Sequence, residues 1–181
     1  MRPPPSTARC TATGAVTAAL DASGLLADRL SVEVTESVVR DDDALDELKA
    51  MARLGVHLTM DDVGTDWSVL EFLEHLPVDT IKIDRALVER IGDADTADDS
   101  NAATIIDLSR SLRICSVAEG IESQEQLDFL RRLGAEVGQG CFFSPPVAGR
   151  EAFALAALGY TPRYALDRPR AFVPSPVVPA P

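Results

Sequence analysis

Short β-branched or apolar runs alternate with longer amphipathic segments through most of this chain, and that rhythm constrains the fold more than any other feature. It describes repeated βα units, in which connecting helices cover the strands of a parallel sheet. Runs at 31–35, 56–60, 80–83 and 114–118, with a short one ending near Gln139, give five strand signals. Helices are expected at 42–54, 67–74, 85–90, 101–112, 124–133 and 150–158, with Gly55 and Gly134 as C-terminal stops. The expected class is therefore α/β. Three zones follow: a Pro-, Ala-, Thr- and Ser-rich lead over 1–19, expected to be irregular or disordered, a domain over about 20–160, and a Pro-rich tail over 161–181.

Composition narrows the functions open to such a fold. A formal charge of −12 disfavours sequence-independent binding to DNA or RNA, which depends on Lys and Arg replacing counterions. No apolar stretch approaches the length of a membrane span, and the first residues lack the apolar core of a signal peptide, so the expectation is a cytoplasmic protein without membrane contact. Cys10, Cys115 and Cys141 are widely spaced and read as free thiols. His57 and His75 have no His or Cys at ligand spacing, which leaves a histidine metal site or a Ser-His-Asp triad poorly supported.

The polar residues are more telling. In a parallel βα array the strand ends point the same way, and active groups gather at that C-terminal rim. Glu33, the adjacent pair Asp61 and Asp62, Lys82, Glu119 and Gln139 all fall in or just after a strand signal. Two neighbouring carboxylates repel, so Asp61-Asp62 reads either as a divalent-cation site or as a solvated helix cap. Glu33 points into a barrel or out to solvent, and taken alone solvent is the simpler reading. Lys82 between Ile81 and Ile83 is either a buried ammonium with carboxylate partners or a snorkelling edge lysine. Glu119-Gly120 could cap a helix, and Gln139-Gly140 could be an ordinary turn.

Taken in order, Glu33-Val34-Thr35-Glu36-Ser37, Asp61-Asp62-Val63-Gly64-Thr65, Ile81-Lys82-Ile83-Asp84-Arg85, Ala118-Glu119-Gly120-Ile121-Glu122 and Gln139-Gly140 resemble the EAL domain family, which hydrolyses cyclic di-GMP. The resemblance implies a TIM-like (β/α) barrel, incomplete here, with about the last five βα units present. It also implies two Mg²⁺ or Mn²⁺ ions that hold and polarise a phosphodiester for attack by water, giving pGpG. By motif, Glu33, Asp61, Asp62 and Glu119 resemble the metal ligands. Glu119 and Lys82 resemble the catalytic groups, Glu119 assisting water activation and Lys82 contacting water or phosphate. Gln139 and Glu36 resemble supporting residues, Glu36 steadying the loop after Asp62.

The pattern also departs from the family. Its Glu-Ala-Leu segment and a later metal-binding Asn would precede the matched region, and neither is found, so the chain reads as the C-terminal part of a domain. Asp66 stands where the family loop has glycine, adding charge near the site and changing a loop that in the family couples dimerisation to catalysis. The interval from Glu33 to Asp61, 61 − 33 = 28, is about two residues shorter than the family's. The implied function is an EAL-type cyclic di-GMP signalling domain without phosphodiesterase activity of its own. The alternative is an active phosphodiesterase whose remaining strands come from upstream or from a partner. A homo-oligomer or partner chain is expected to cover the open barrel edges. Another metal-dependent barrel enzyme, such as an enolase-like lyase, would not account for Thr35-Glu36 and Gln139-Gly140.

Overall fold

The computed structural model describes residues 11–35, 38, 41–64, 73–91, 96–157 and 164–165. Five parallel strands lie side by side in chain order: β1 (Ser31–Val34), β2 (His57–Val63), β3 (Thr80–Ile83), β4 (Cys115–Ala118) and β5 (Val137–Gly138). A sixth, β6 (Tyr164–Ala165), pairs antiparallel with β5. Helices α1 (Ala12–Ser23), α2 (Asp42–Arg53), α3 (Arg85–Glu89), α4 (Thr96–Leu112), α5 (Gln124–Leu133) and α6 (Gly149–Ala157) occupy the connections and ends.

Register sorts the strand residues onto two faces. Met60 pairs with Ile81 and Ile81 with Ser116, while Ile83 pairs with Ala118. Leu58, Met60, Ile81, Ile83 and Ala118 on that side are fully buried and form the core with α4 residues Ile105 and Ile106 and α5 residues Leu127 and Leu130. Burial of this kind contributes roughly 1.5–3 kcal/mol per large aliphatic side chain. The opposite face carries Ser31, Glu33, Thr59, Thr80 and Lys82, in line with the strand period of two.

The chain ends differ from expectation in two places. Within the lead expected to be irregular, residues 12–19 belong to α1, which starts at the Thr11 cap, whose side chain accepts from Gly14 N. This helix has no buried residue, and it docks on α2 through Thr13, whose N donates to Glu47 Oε2 at 2.8 Å and whose Oγ1 donates to Glu47 O at 3.3 Å. Hydrogen bonding by Thr13 holds the Glu47 carboxyl below its ordinary pKa. Glu47→Ala should therefore speed amide exchange several-fold across 12–23 while leaving α5 unchanged; equal protection of α1 in both proteins would refute this docking role. In the tail expected to be extended, Tyr164 and Ala165 add a short strand to the sheet edge.

Elsewhere the elements match the sequence reading, except that β2 runs on to Val63 instead of stopping at 60 and α4 starts at Thr96 instead of 101. Ser123 and Gln126 form a capping box at the start of α5, and Gly134 in the left-handed region, at φ 82°, ends it. The helix expected at 67–74 lies mostly outside the described residues, which show a 3-10 turn at Leu73–His75. Among the described residues, Cys141 is a free thiol, and no helix is long and apolar enough to cross a membrane.

Candidate metal centre

The site begins with a defect in strand pairing. Met60 pairs with Ile81, but the next pair is Val63 with Ile83, so three steps along β2 match two along β3. One extra residue is accommodated in this bulge, and Asp62 takes it up with φ 56°, in the left-handed region. Without the extra residue, strict alternation would turn Asp62 toward the helix-packed face and Val63 away from it. With it, Val63 is fully buried while Asp61 and Asp62 both stay off the core side. Asp61 Oδ1 accepts from Asp62 N at 3.1 Å, which ties the pair together locally. The helix-cap reading of these carboxylates is thus wrong: both lie within β2.

Lys82 lies in β3 between β2 and β4, so it is no edge lysine. Its side chain is 9% exposed, and its Nζ lies 2.9 Å from Asp61 Oδ1, 3.0 Å from Glu119 Oε1 and 3.2 Å from Glu33 Oε1. Burial acts to lower the lysine pKa, but hydrogen bonds to Asp61, Glu119 and Glu33 outweigh it and hold the pKa above the ordinary value, so the ammonium stays charged. Glu33 keeps 47% of its side chain exposed, against 23% for Asp61 and 21% for Glu119. The solvent reading of Glu33 is therefore half right: it is wet, and it also reaches Lys82.

Glu119 is placed by the turn that follows β4. Its N donates to Ile83 O at 3.3 Å, extending the β3–β4 pairing by one residue. The loop beyond it is pinned by Gln126 Oε1, which accepts from Glu122 N and Ser123 N at 2.8 and 3.0 Å. Ser123, rather than Glu119, is the α5 cap. Gln139 follows β5; its N donates to Ala118 O at 2.9 Å and its O accepts from Ile121 N at 3.1 Å, so it stitches the Glu119 loop to the next strand. Glu36 lies outside the described residues.

Two neighbours were not singled out in the sequence. Asp84 caps α3 by accepting from Ala86 N at 2.6 Å, a role its place before a helix makes readable. Arg85 pairs with Glu89 and with Glu122, the latter at 2.9 Å, and its stem fills the space that a side chain at Gly120 would need. Only the fold brings Arg85 beside the Glu119 loop.

Four carboxylates on one rim are the hard oxygen donors that suit a divalent cation. Desolvation, then the nearby Asp61 and Asp84 carboxylates, push the Asp62 pKa up, a crowding of negative charge that a cation relieves. In kind, then, the residues fit a metal. In arrangement three of them, Glu33, Asp61 and Glu119, are gathered on an ammonium: among the described residues, no three His, Cys, Asp or Glu side chains are drawn together in a way that could hold an ion.

The EAL domain profile matches residues 6–146. The chain is 40% identical over 131 residues to the cyclic di-GMP phosphodiesterase NbdA of Pseudomonas aeruginosa, covering 71% of this chain and 17% of that one. The EAL domain of Mycobacterium smegmatis DcpA superposes with a TM-score of 0.76 at 35% identity, over 83% of this chain and 67% of that one. A manganese and cyclic di-GMP complex of Klebsiella pneumoniae BlrP1 gives a TM-score of 0.67 at 35% identity, over 74% and 34% of the two chains. The chain spans less than a quarter of the length of the curated relatives it matches. Its five parallel strands are thus part of a TIM-like α/β barrel, and the chain belongs to the EAL domain family.

Proposed function

We propose that this chain is a cyclic di-GMP signalling module that does not hydrolyse cyclic di-GMP by itself. The observation that carries the reading is the convergence of Glu33, Asp61 and Glu119 on the Lys82 ammonium rather than on a shared metal point. A bound Mg²⁺ or Mn²⁺ would supply polarisation of a phosphodiester and activation of water, with Glu33, Asp61, Asp62 and Glu119 as its holders. Glu119 would then accept a proton from the attacking water, Lys82 would stabilise negative charge developing on phosphate, and Gln139 and Glu36 would support the rim. With the Lys82 ammonium already among Glu33, Asp61 and Glu119, these donors should bind the ion weakly.

A second reading is favoured by the rim itself, since Glu33, Asp61, Asp62, Lys82, Glu119 and Gln139 all lie at the same end of one sheet. If strands from upstream or from a partner extended the sheet beyond β1, the same residues would serve an active phosphodiesterase that releases pGpG. Such a partner, a second copy included, would cover a sheet edge whose Ser31 and Glu33 are exposed. We further propose a cytoplasmic location for the module, in which, among the described residues, no helix is long and apolar enough to cross a membrane.

The test is pGpG release from cyclic di-GMP by purified chain with Mg²⁺ or Mn²⁺. The expected result is no turnover above buffer, unaltered by Asp61→Ala or Glu119→Ala. Robust turnover that either substitution abolishes would replace the first reading with the second.

A further inference from the structure

We propose that Lys82 is a resident counter-cation, which locks the three carboxylates together in the metal-free chain and competes with a divalent cation for them. The observations are geometric. Lys82 Nζ lies within 3.2 Å of carboxylate oxygens from β1, β2 and the end of β4, while its own side chain is almost enclosed. An ammonium has three donor hydrogens and no acceptor, so three carboxylate partners satisfy it fully. A second cation drawn to Asp61, Glu33 and Glu119 would meet a positive charge already among them, at distances where unlike and like charges both count heavily in a partly dry site. The lysine therefore does two jobs of opposite sign. It spares the fold the repulsion of clustered carboxylates, and it weakens the site for the ion that the same donors suit. The competition half of this proposal rests on the function proposed above; the locking half does not.

The sequence makes the test direct, because the chain has two lysines, Lys49 and Lys82. Lys49 sits on α2 with 42% of its side chain exposed and Asp46 at 4.0 Å, which makes it an internal reference for an exposed ammonium. In ¹⁵N-labelled chain with EDTA, the Lys82 ammonium should give a sharp NMR signal with slow hydrogen exchange, whereas the Lys49 signal should be broadened by exchange with water. Added Mg²⁺ should move the Lys82 signal alone. In titration calorimetry, Lys82→Met should bind Mg²⁺ at least about tenfold more tightly than the parent, the effect of removing one competing charge.

A Lys82 signal that exchanges as freely as that of Lys49 in EDTA would overturn the proposal. A Lys82→Met chain that binds Mg²⁺, but no more tightly than the parent, would overturn the competition half. If neither chain binds Mg²⁺ while Lys82 is protected in EDTA, the metal reading and the competition fall together and the lock stands. The spectra use the unsubstituted chain, so they decide the locking half even if Lys82→Met does not fold.

Discussion

Replacing Lys82 with Met should lower the unfolding free energy of the metal-free chain by about 3 kcal/mol, the lower end of what breaking a buried charge pair costs. Met nearly matches the lysine stem in volume, so the loss isolates the charge from the packing. What remains is Glu33, Asp61 and Glu119 facing one another without the ammonium that held them at 2.9–3.2 Å. The low end applies because Glu33 and, to a smaller degree, Asp61 and Glu119 retain water contact that screens their repulsion. Urea unfolding in EDTA measures the change as a shifted midpoint with an unaltered slope. A Lys82→Met chain as stable as the parent would mean that the three contacts contribute nothing net.

A comparable loss, about 3 kcal/mol or more, is expected from Gly140→Ala, for a different reason. A methyl group at position 140 would run into the backbone N and O of Ile121. Backbone atoms cannot swing aside as the end of a long side chain can. Ile121 is also fully buried, and it is bonded on both sides: its N donates to Gln139 O at 3.1 Å, and its O accepts from Phe142 N at 3.0 Å. The substitution therefore pries the Glu119 loop from the end of β5 and moves Glu119 and Gln139 apart. Thermal unfolding checks the stability loss, and faster amide exchange at Ile121 and Phe142 checks its location. A variant with the parent's melting temperature would show that the loop has more room than this packing allows.

Much of this arrangement was legible in the residues, and the reasons differ by element. The strands from Thr80 and Cys115 announce themselves as β-branched or apolar runs between helix signals, and α5 carries its own boundaries in Ser123, Gln126 and Gly134. Lys82 was readable as an anomaly, because a charge between two isoleucines in an inner strand needs partners. The bulge was not readable. Adjacent aspartates look the same in sequence whether they end a strand, cap a helix or share an extra residue in a ladder, and only the pairing with Ile81 and Ile83 decides. Helix α1 escaped because its Ala- and Thr-rich sequence buries no stripe of its own and is held by contacts with α2. Strand β6 escaped because a two-residue strand next to a proline-rich stretch has no pattern to read. For the site, sequence order supplied the membership of the rim, while the partners of each group depended on register and on the turn after β4.

The most direct measurement of the central claim, that one ammonium gathers the rim, is a crystal structure of the chain grown in EDTA. Lys82 Nζ is expected within hydrogen-bonding distance of Glu33, Asp61 and Glu119 together, with Asp62 in the left-handed region of a β2 bulge. A Lys82 side chain turned to solvent, with the three carboxylates splayed apart, would contradict it.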